Sequence, residues 1–560
     1  MSEKWLASKT GTPQQMETAL AVLDEVRAGS DVYAAIRRHP LPGGGYPSKS
    51  MLVRAYNQMV AAGEIAADPA LLARIRMKPM RTLSGVTTVT VLTKPYPCPG
   101  KCIFCPTDVR MPKSYLPDEP GAMRGLQNQF DPYDQVRSRI KALEAVGHPT
   151  EKIELLVLGG TWSAYRRDYQ EWFIRRLFDA MNEVDSDTLE EAQRRNETGL
   201  HRNVGLVIET RPDEITADEL AWLRRLGVTK VQVGAQSLDD DILLQNKRGH
   251  TVAELLRAVS LLRAASFKVV LHWMPNLLGA TLESDRADFA RLWDGGFAPD
   301  EIKIYPTQLL ENTELYSVWQ QGRYRPYTTD ELVQLIADVK PSIPRYCRVN
   351  RVIRDIPSNN VVEGNRRTSL RQDVLAELAR RGQRCECIRC REVRDQEIDP
   401  ASLRLDDLVY RPACSEEHFL SFVTPEDAIA GYLRLSLPLS KSNEPCAGSD
   451  APALSLSNAP ALSLSNAREW AKLRERLTDL EGAALIREVH VYGQSLAVGE
   501  EQSGAAQHIG LGKALLREAE QIARAQGYKK LAVIAAVGTR KYYEDRGFAP
   551  GELYHVKDLL

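Results

Sequence analysis

Residues 91–106 read VLTKPYPCPGKCIFCP, an apolar strand end running straight into a C-x3-C-x2-C loop of Cys98, Cys102 and Cys105. Three thiolates on so short a loop suit three irons of a 4Fe–4S cluster and leave the fourth iron without a protein ligand. Such an open iron chelates the amino and carboxylate groups of S-adenosylmethionine and passes an electron to its sulfonium. Homolysis then gives a 5′-deoxyadenosyl radical able to take an unactivated hydrogen. Phe104 is placed to shield the cluster and pack on adenine. The same spacing also fits a structural zinc with a distant fourth ligand; the loop's position after a strand favours iron.

The sequence around the loop sets the fold class. Short apolar strands at 85–93, 153–159, 204–210, 229–235, 268–274 and 301–306 alternate with helical segments such as 217–227 and 252–265. This alternation predicts an α/β fold built on a parallel sheet or partial β/α barrel. Ligands of such folds gather at the C-terminal ends of the strands. LGGTW (158–162), ETRPD (209–213) and QVGAQS (232–237) fall there. Gly159 and Gly160 let a ligand approach the backbone. Glu209, Arg211, Gln232 and Gln236 are candidates to touch cofactor or substrate.

The expected organisation is a helical N-terminal region (1–83), the partial barrel (84–370), a linker (371–404) and a small α/β domain (405–560). In the first, Met16, Ala19, Leu20 and Leu23 share a helix face. RIRMKPMR ends it with Arg74, Arg76, Lys78 and Arg81, either a solvated helix end or a phosphate contact. In the last, strands at 419–425, 428–438 and 484–493 precede Q-x-x-G-x-G at Gln507, Gly510 and Gly512 and a helix over 513–526. Backbone N–H groups at such a helix start suit the pyrophosphate of coenzyme A, with Lys513 beside it. Tyr542 and Tyr543 follow on a short helix; no residue stands out as a general base, and Glu488, His490 and Tyr543 are candidates by type alone. The tandem APALSLSN copies (451–458 and 459–466) predict a disordered insertion over about 438–480.

Six of nine cysteines lie in two tight clusters, which in a reducing compartment reads as metal sites. The second, Cys385, Cys387 and Cys390, suits a zinc staple between domains, with Cys347, Cys414 or His418 as the missing ligand. Three ordinary thiols are the alternative. A net charge of −1 gives no global attraction to nucleic acid. The absence of an apolar span or signal core predicts a cytoplasmic protein without membrane contact.

The cysteine loop and the strand-end motifs resemble the radical S-adenosylmethionine superfamily, and the C-terminal order resembles the GNAT acetyltransferase fold. CPGKCIFCP, MRGLQNQFDPYDQVRSRI, LHWMPNLLG, RDIP, REVHVYG and KYYEDRGF together resemble the Elongator catalytic subunit family from about residue 75 onward. That resemblance implies an enzyme installing a carboxymethyl group at C5 of the tRNA wobble uridine, using S-adenosylmethionine and acetyl-CoA. It implies that Cys98, Cys102 and Cys105 bind the cluster and that Tyr542 and Tyr543 line the acetyl-CoA site. Arg366, Arg367 and Arg371 would join RIRMKPMR in contacting the anticodon stem–loop. The tight cysteine spacing suggests a bacterial or archaeal member acting without other Elongator subunits, supplied by an external electron donor. The competing expectation is a protein lysine acetyltransferase whose iron–sulfur domain is structural.

Overall fold

The computed structural model describes residues 12–78, 82, 84–394, 396, 398–439, 459–492 and 510–559, with backbone alone over 459–466. β1 (Thr87–Leu92), β2 (Lys152–Leu158), β3 (Arg202–Thr210), β4 (Lys230–Gln236), β5 (Lys268–Trp273), β6 (Glu301–Ile304) and β7 (Arg348–Val352) form one parallel sheet in chain order. Consecutive parallel neighbours need crossovers of one hand, so the helices gather on one face and the sheet curls into an open barrel. Side chains alternate accordingly. On β2, Ile153, Leu155 and Val157 are buried in the core, while Glu154, Leu156 and Leu158 face the concave side.

The first six strands are those the apolar runs predict; β7 is not. Its sequence RVNRV carries polar residues on the inner wall, so its hydrophobic signal is weak.

A second sheet runs in the order β13 (Ala549–Pro550), β14 (His555–Asp558), β12 (Lys530–Val533), β11 (Ala483–Val491), β10 (Ile429–Pro438), β9 (Ser415–Val423), β8 (Arg404–Tyr410). β11 and β12 pair in parallel and the other neighbours are antiparallel. The helix Leu511–Ala525 packs Leu515, Leu516 and Ala519 into this sheet's own core. Arg434 opposes Glu488 but Leu435 opposes Ile486, so Arg487 bulges out of β11. It reaches Asp300, at the start of β6. With Lys268–Glu488 and Arg348–Tyr492, this contact seats the second sheet against the N-terminal ends of the barrel strands.

The region around 438–480 is not an unstructured insertion in its described part. A helix spans Ala459–Arg476, including the second repeat copy. Glu469 accepts from the backbone of Ala217, and Lys472 and Arg476 pair with Asp218, so the helix N-terminus at Ala217 gains an acidic cap. The first copy lies outside the described residues. Upstream, helices Pro13–Arg27, Val32–Arg38, Lys49–Ala61 and Pro69–Ile75 enclose a separate core around Ala19, Leu23, Leu52 and Ile75. Among the described residues no helix is long and apolar enough to cross a membrane.

Candidate active site

The cysteine loop crosses the C-terminal ends of the barrel strands. It is tied down by Ile103, whose N–H donates to Asn246 and whose carbonyl accepts from Leu315. Cys98 Sγ lies 3.4 Å from Thr161 Oγ1, and Arg248 donates to Cys102 Sγ at 3.4 Å. The Cys102 thiol is held down to about 5, first by its hydrogen bond with Cys105 and then by Arg248 and Arg211, against burial. The same bond and burial push Cys105 up. A thiolate beside guanidinium groups is the form that ligates metal.

Three polar atoms around the loop are buried without a hydrogen-bond partner: Arg211 Nη1, Arg248 Nε and Gln236 Oε1. Arg211 otherwise clamps Asp213 and donates to the Arg248 carbonyl. An unpaired buried group costs about 1–3 kcal/mol, so these atoms are arranged for a polar ligand. Three converging thiols, unpaired guanidinium N–H groups and an amide oxygen suit a 4Fe–4S cluster carrying S-adenosylmethionine. Of the glycine pair only Gly160 lines the ligand space. Gly159 is small for packing: a Cβ there would lie 1.8 Å from Thr93 Oγ1.

From the loop a single cavity of about 890 Å³ descends the concave face to the second sheet. Cys98, Cys102 and Cys105 line its upper end, Gln232, His272 and Lys303 its middle, and His490, Tyr492 and Tyr543 its lower end. Burial raises the Glu209 carboxyl against Lys303, Arg354 and Arg248. Burial, then Lys303 and Arg248, keep His272 neutral. Lower down, carboxylates and ammoniums alternate: Glu154–Lys230 at 2.6 Å, Lys230–Glu301 at 3.3 Å, then Lys268–Glu488. Glu301 is held down to about 2 because Lys230 and Lys268 outweigh its burial.

At the lower end Gly510, at φ +76°, caps the helix Leu511–Ala525. A Cβ on Gly512 would lie 2.6 Å from the Tyr542 hydroxyl, so that ring sits against the first helical turn. Arg546 covers Tyr542 at 3.5 Å, and Tyr543 stands edge-on at 5.2 Å with its phenol raised by burial. Tyr543 lines the cavity; Tyr542 and the exposed Lys513 do not. Gln507 lies outside the described residues. Of the general bases by type, Glu488 is committed to Lys268, Arg434 and Tyr432. His490 keeps a buried Nε2 without a partner, and its pKa is lowered to about 3, first by burial and then by Arg348 and Lys268.

The ligand atoms of Cys385, Cys387 and Cys390 lie within 4.8 Å of one another, a group of metal-site dimensions. The buried Lys340 ammonium approaches Cys390 at 3.6 Å. Of the three residues offered as a fourth ligand, none joins the group among the described residues. Cys347 is buried nearby with its thiol raised, chiefly by burial, and His418 is held by Asp407 at 2.8 Å.

The basic residues expected at RNA do not converge on the cavity. Arg74 donates to the carbonyls of Val26 and Ser30, Arg76 to Gly147, Arg366 to Val362 and Arg371 to Val349. Arg367 pairs loosely with Asp373, Lys78 does not line the cavity, and Arg81 lies outside the described residues. The cavity is lined instead by Arg124, Arg139, Arg351, Arg354, Arg389 and Arg394, from segments flanking the edge strands β1 and β7. Three of these stand inside the quoted stretches MRGLQNQFDPYDQVRSRI and RDIP. Their convergence depends on the sheet closing most of a circle, and no local pattern reports that.

The Radical SAM superfamily model matches residues 96–292, and the Radical SAM C-terminal domain model matches 299–380. The chain is 41% identical to the tRNA uridine(34) acetyltransferase of Dehalococcoides mccartyi, over 86% of this chain and 99% of that one. It is 39% identical to the protein of that name from Methanocaldococcus infernus, over 87% and 88%. Elongator complex protein 3 of Homo sapiens is 35% identical, over 87% of each. The solved structure of archaeal Methanocaldococcus infernus Elp3, lacking residues 1–46 of its N-terminus, superposes with a TM-score of 0.69 at 35% identity, covering 85% of this chain and 99% of that one.

Proposed function

The chain belongs to the family of the tRNA uridine(34) acetyltransferases and Elongator complex protein 3, and on that premise we propose that it installs a carboxymethyl group at C5 of the tRNA wobble uridine. The bound cluster and S-adenosylmethionine supply hydrogen-atom abstraction, and acetyl-CoA supplies the two carbons.

The observation that carries this reading is the continuous cavity, with the cysteine loop at one end and Tyr543 and His490 at the other. An acetyl group held at the lower end faces into the barrel, where a radical generated at the upper end is also confined. A lysine acetyltransferase has no use for that geometry. In this reading Cys98, Cys102 and Cys105 hold the cluster. Gly160, Glu209 and the unpaired N–H of Arg211 receive S-adenosylmethionine. Gly510, Gly512 and Gln507 cradle the pyrophosphate, while Tyr543 borders the acetyl group. His490, neutral and with an unpartnered Nε2, borders the same end as a hydrogen-bonding group for the thioester. The arginines lining the cavity, Arg351 and Arg389 among them, receive the anticodon backbone and let one unpaired base enter. Cys385, Cys387 and Cys390 hold a structural zinc.

The test is anaerobic turnover of reconstituted protein with S-adenosylmethionine, reductant, acetyl-CoA and tRNA, followed by mass spectrometry. Carboxymethyluridine and 5′-deoxyadenosine are expected, and both vanish in Cys102→Ser. Acetylated peptide unaffected by that variant would transfer the function to the acetyltransferase reading.

A further inference from the structure

RCECIRC (384–390) sets Cys387 and Cys390 at C-x2-C spacing, with only Ile388 and Arg389 between them. These two residues face different ways. Ile388 is fully buried, and its N–H donates at 2.9 Å to the carbonyl of Cys347, just before β7. Arg389 lines the cavity. Its guanidinium makes no hydrogen bond or ion pair among the described residues, and the nearby Glu392 is engaged by Arg348 at 2.9 Å. The place of Arg389 is therefore inherited from its backbone. That backbone is one helical turn, Ile388–Arg391, too short to hold itself. Cys387 stands at its N-cap without a side-chain capping bond. On the far side of Cys390, Arg391 clamps Asp427, between β9 and β10, at 2.7 and 3.0 Å.

The charge balance of the turn calls for an ion. The sulfurs of Cys385, Cys387 and Cys390 lie within 4.8 Å of one another. Lys340 is fully buried, approaches Cys390 Sγ at 3.6 Å and has no carboxylate partner among the described residues. Three thiolates on a divalent ion carry one net negative charge, which this ammonium balances. Three neutral thiols would leave it uncompensated, a costly state for a buried charge. The turn is thus built to keep its shape around a bound metal.

We propose that the metal held by Cys385, Cys387 and Cys390 positions Arg389 for RNA, by closing a ring through Cys387 and Cys390 whose backbone carries this arginine. The inference rests on the readings above of a zinc at these cysteines and of Arg389 as a phosphate contact. An arginine fixed in advance spares the RNA the entropic cost of ordering it. Loss of the metal then weakens RNA binding although no metal ligand touches RNA.

The test uses the full cluster-loaded chain with S-adenosylmethionine and no reductant, and measures anticodon stem–loop binding between about 50 and 200 mM salt. Zinc and iron are read on each protein by mass spectrometry. Cys385→Ser and Cys390→Ser should lose zinc and weaken binding by the same factor as Arg389→Gln. Each should lower the slope of log affinity against log salt by about 0.7. Arg389→Gln combined with Cys390→Ser should bind no more weakly than Arg389→Gln alone, because both act through one contact. A general loosening of the fold would add its loss to that of Arg389→Gln, and that result overturns the proposal. Full iron content and unchanged acetyl-CoA binding separate the variants from misfolded protein; a variant that fails this check is replaced by chelation of zinc from the unaltered chain. Zinc-free protein that keeps full affinity, while Arg389→Gln loses it, overturns the proposal and leaves the phosphate reading intact. An Arg389→Gln variant that binds as the unaltered protein does overturns both. A chain that carries its iron but takes up no zinc overturns the zinc reading and the proposal with it.

Discussion

Asp300 and Arg487 lock together across the junction of the two sheets through four contacts of 2.7–2.9 Å, with both side chains fully buried. Arg434 and Arg263 stand 3.5 and 3.9 Å from the same carboxylate, and Glu417 is 3.6 Å from Arg263. Burial opposes ionisation of Asp300, but the three arginines outweigh it and hold its carboxyl below the usual range.

Removing one member of such a pair leaves an uncompensated buried charge. Arg487→Met should therefore destabilise the protein by about 3–5 kcal/mol. Urea unfolding of Arg487→Met, Asp300→Asn and the double variant checks this. The double variant should recover part of the loss, as coupled partners do. Additive losses would mean that the pair is not a unit.

The contribution of Asp285 to stability should fall as pH rises from about 4 through about 7. Burial pushes its carboxyl up to about 7, and the hydrogen bonds it accepts from Asn276 N–H and Tyr327 O–H both go to Oδ2. A raised carboxyl favours the folded state while protonated and penalises it once ionised. Asn in its place keeps the accepting oxygen and cannot ionise. Thermal melts across pH 4–8 should show Asp285→Asn gaining on the unaltered protein as pH rises, with a higher melting temperature at pH 8.

Gly159→Ala should cost at least about 2 kcal/mol, because the added methyl meets Thr93 Oγ1 at 1.8 Å and the backbone holds φ at +142°. Gly160→Ala meets nothing closer than Lys113 at 3.7 Å, so its cost is limited to the backbone strain of holding φ at +85°. It should unfold more nearly like the unaltered protein while weakening S-adenosylmethionine binding. Denaturant midpoints and isothermal titration separate the two glycines.

Arg389→Gln should weaken stem–loop binding similarly for every sequence and lower the slope of log affinity against log salt by about 0.7, the share of one single-strand phosphate. Fluorescence anisotropy between 50 and 200 mM salt measures it. Arg74→Gln, which gives up contacts to Val26 and Ser30 carbonyls, should change stability and leave the salt slope alone.

Much of the architecture was legible locally. Six barrel strands and the main strands of the second sheet announce themselves as apolar runs of the right length, and Cys98, Cys102 and Cys105 by spacing. Elements whose signal lies in tertiary pairing were not legible. β7 (RVNRV) and β8 (RLDDLVY) are too charged to read as apolar runs, and each is completed by the hydrogen bonds of a neighbouring strand. The site divided the same way. Gly160 and Tyr543 were found by motif, but the turn that brings Arg389 to the cavity is held by Cys347 and Asp427, dozens of residues away. Charge density, which is visible in a string, points to RIRMKPMR. The arginines lining the cavity are scattered over more than 250 residues of chain between Arg124 and Arg394.

The barrel's base has a consequence for the chain's divisibility. A closed barrel is plugged there by packed side chains, whereas here the floor is a lattice of charges shared with another sheet. Cutting the polypeptide near 404 would not release two tidy modules. One half would carry Asp300 and Lys268 into water, the other Arg487, Arg434 and Glu488, each losing a counter-charge that makes its burial tolerable. The two halves are thus welded at the seam, and the cavity that both of them line runs through it.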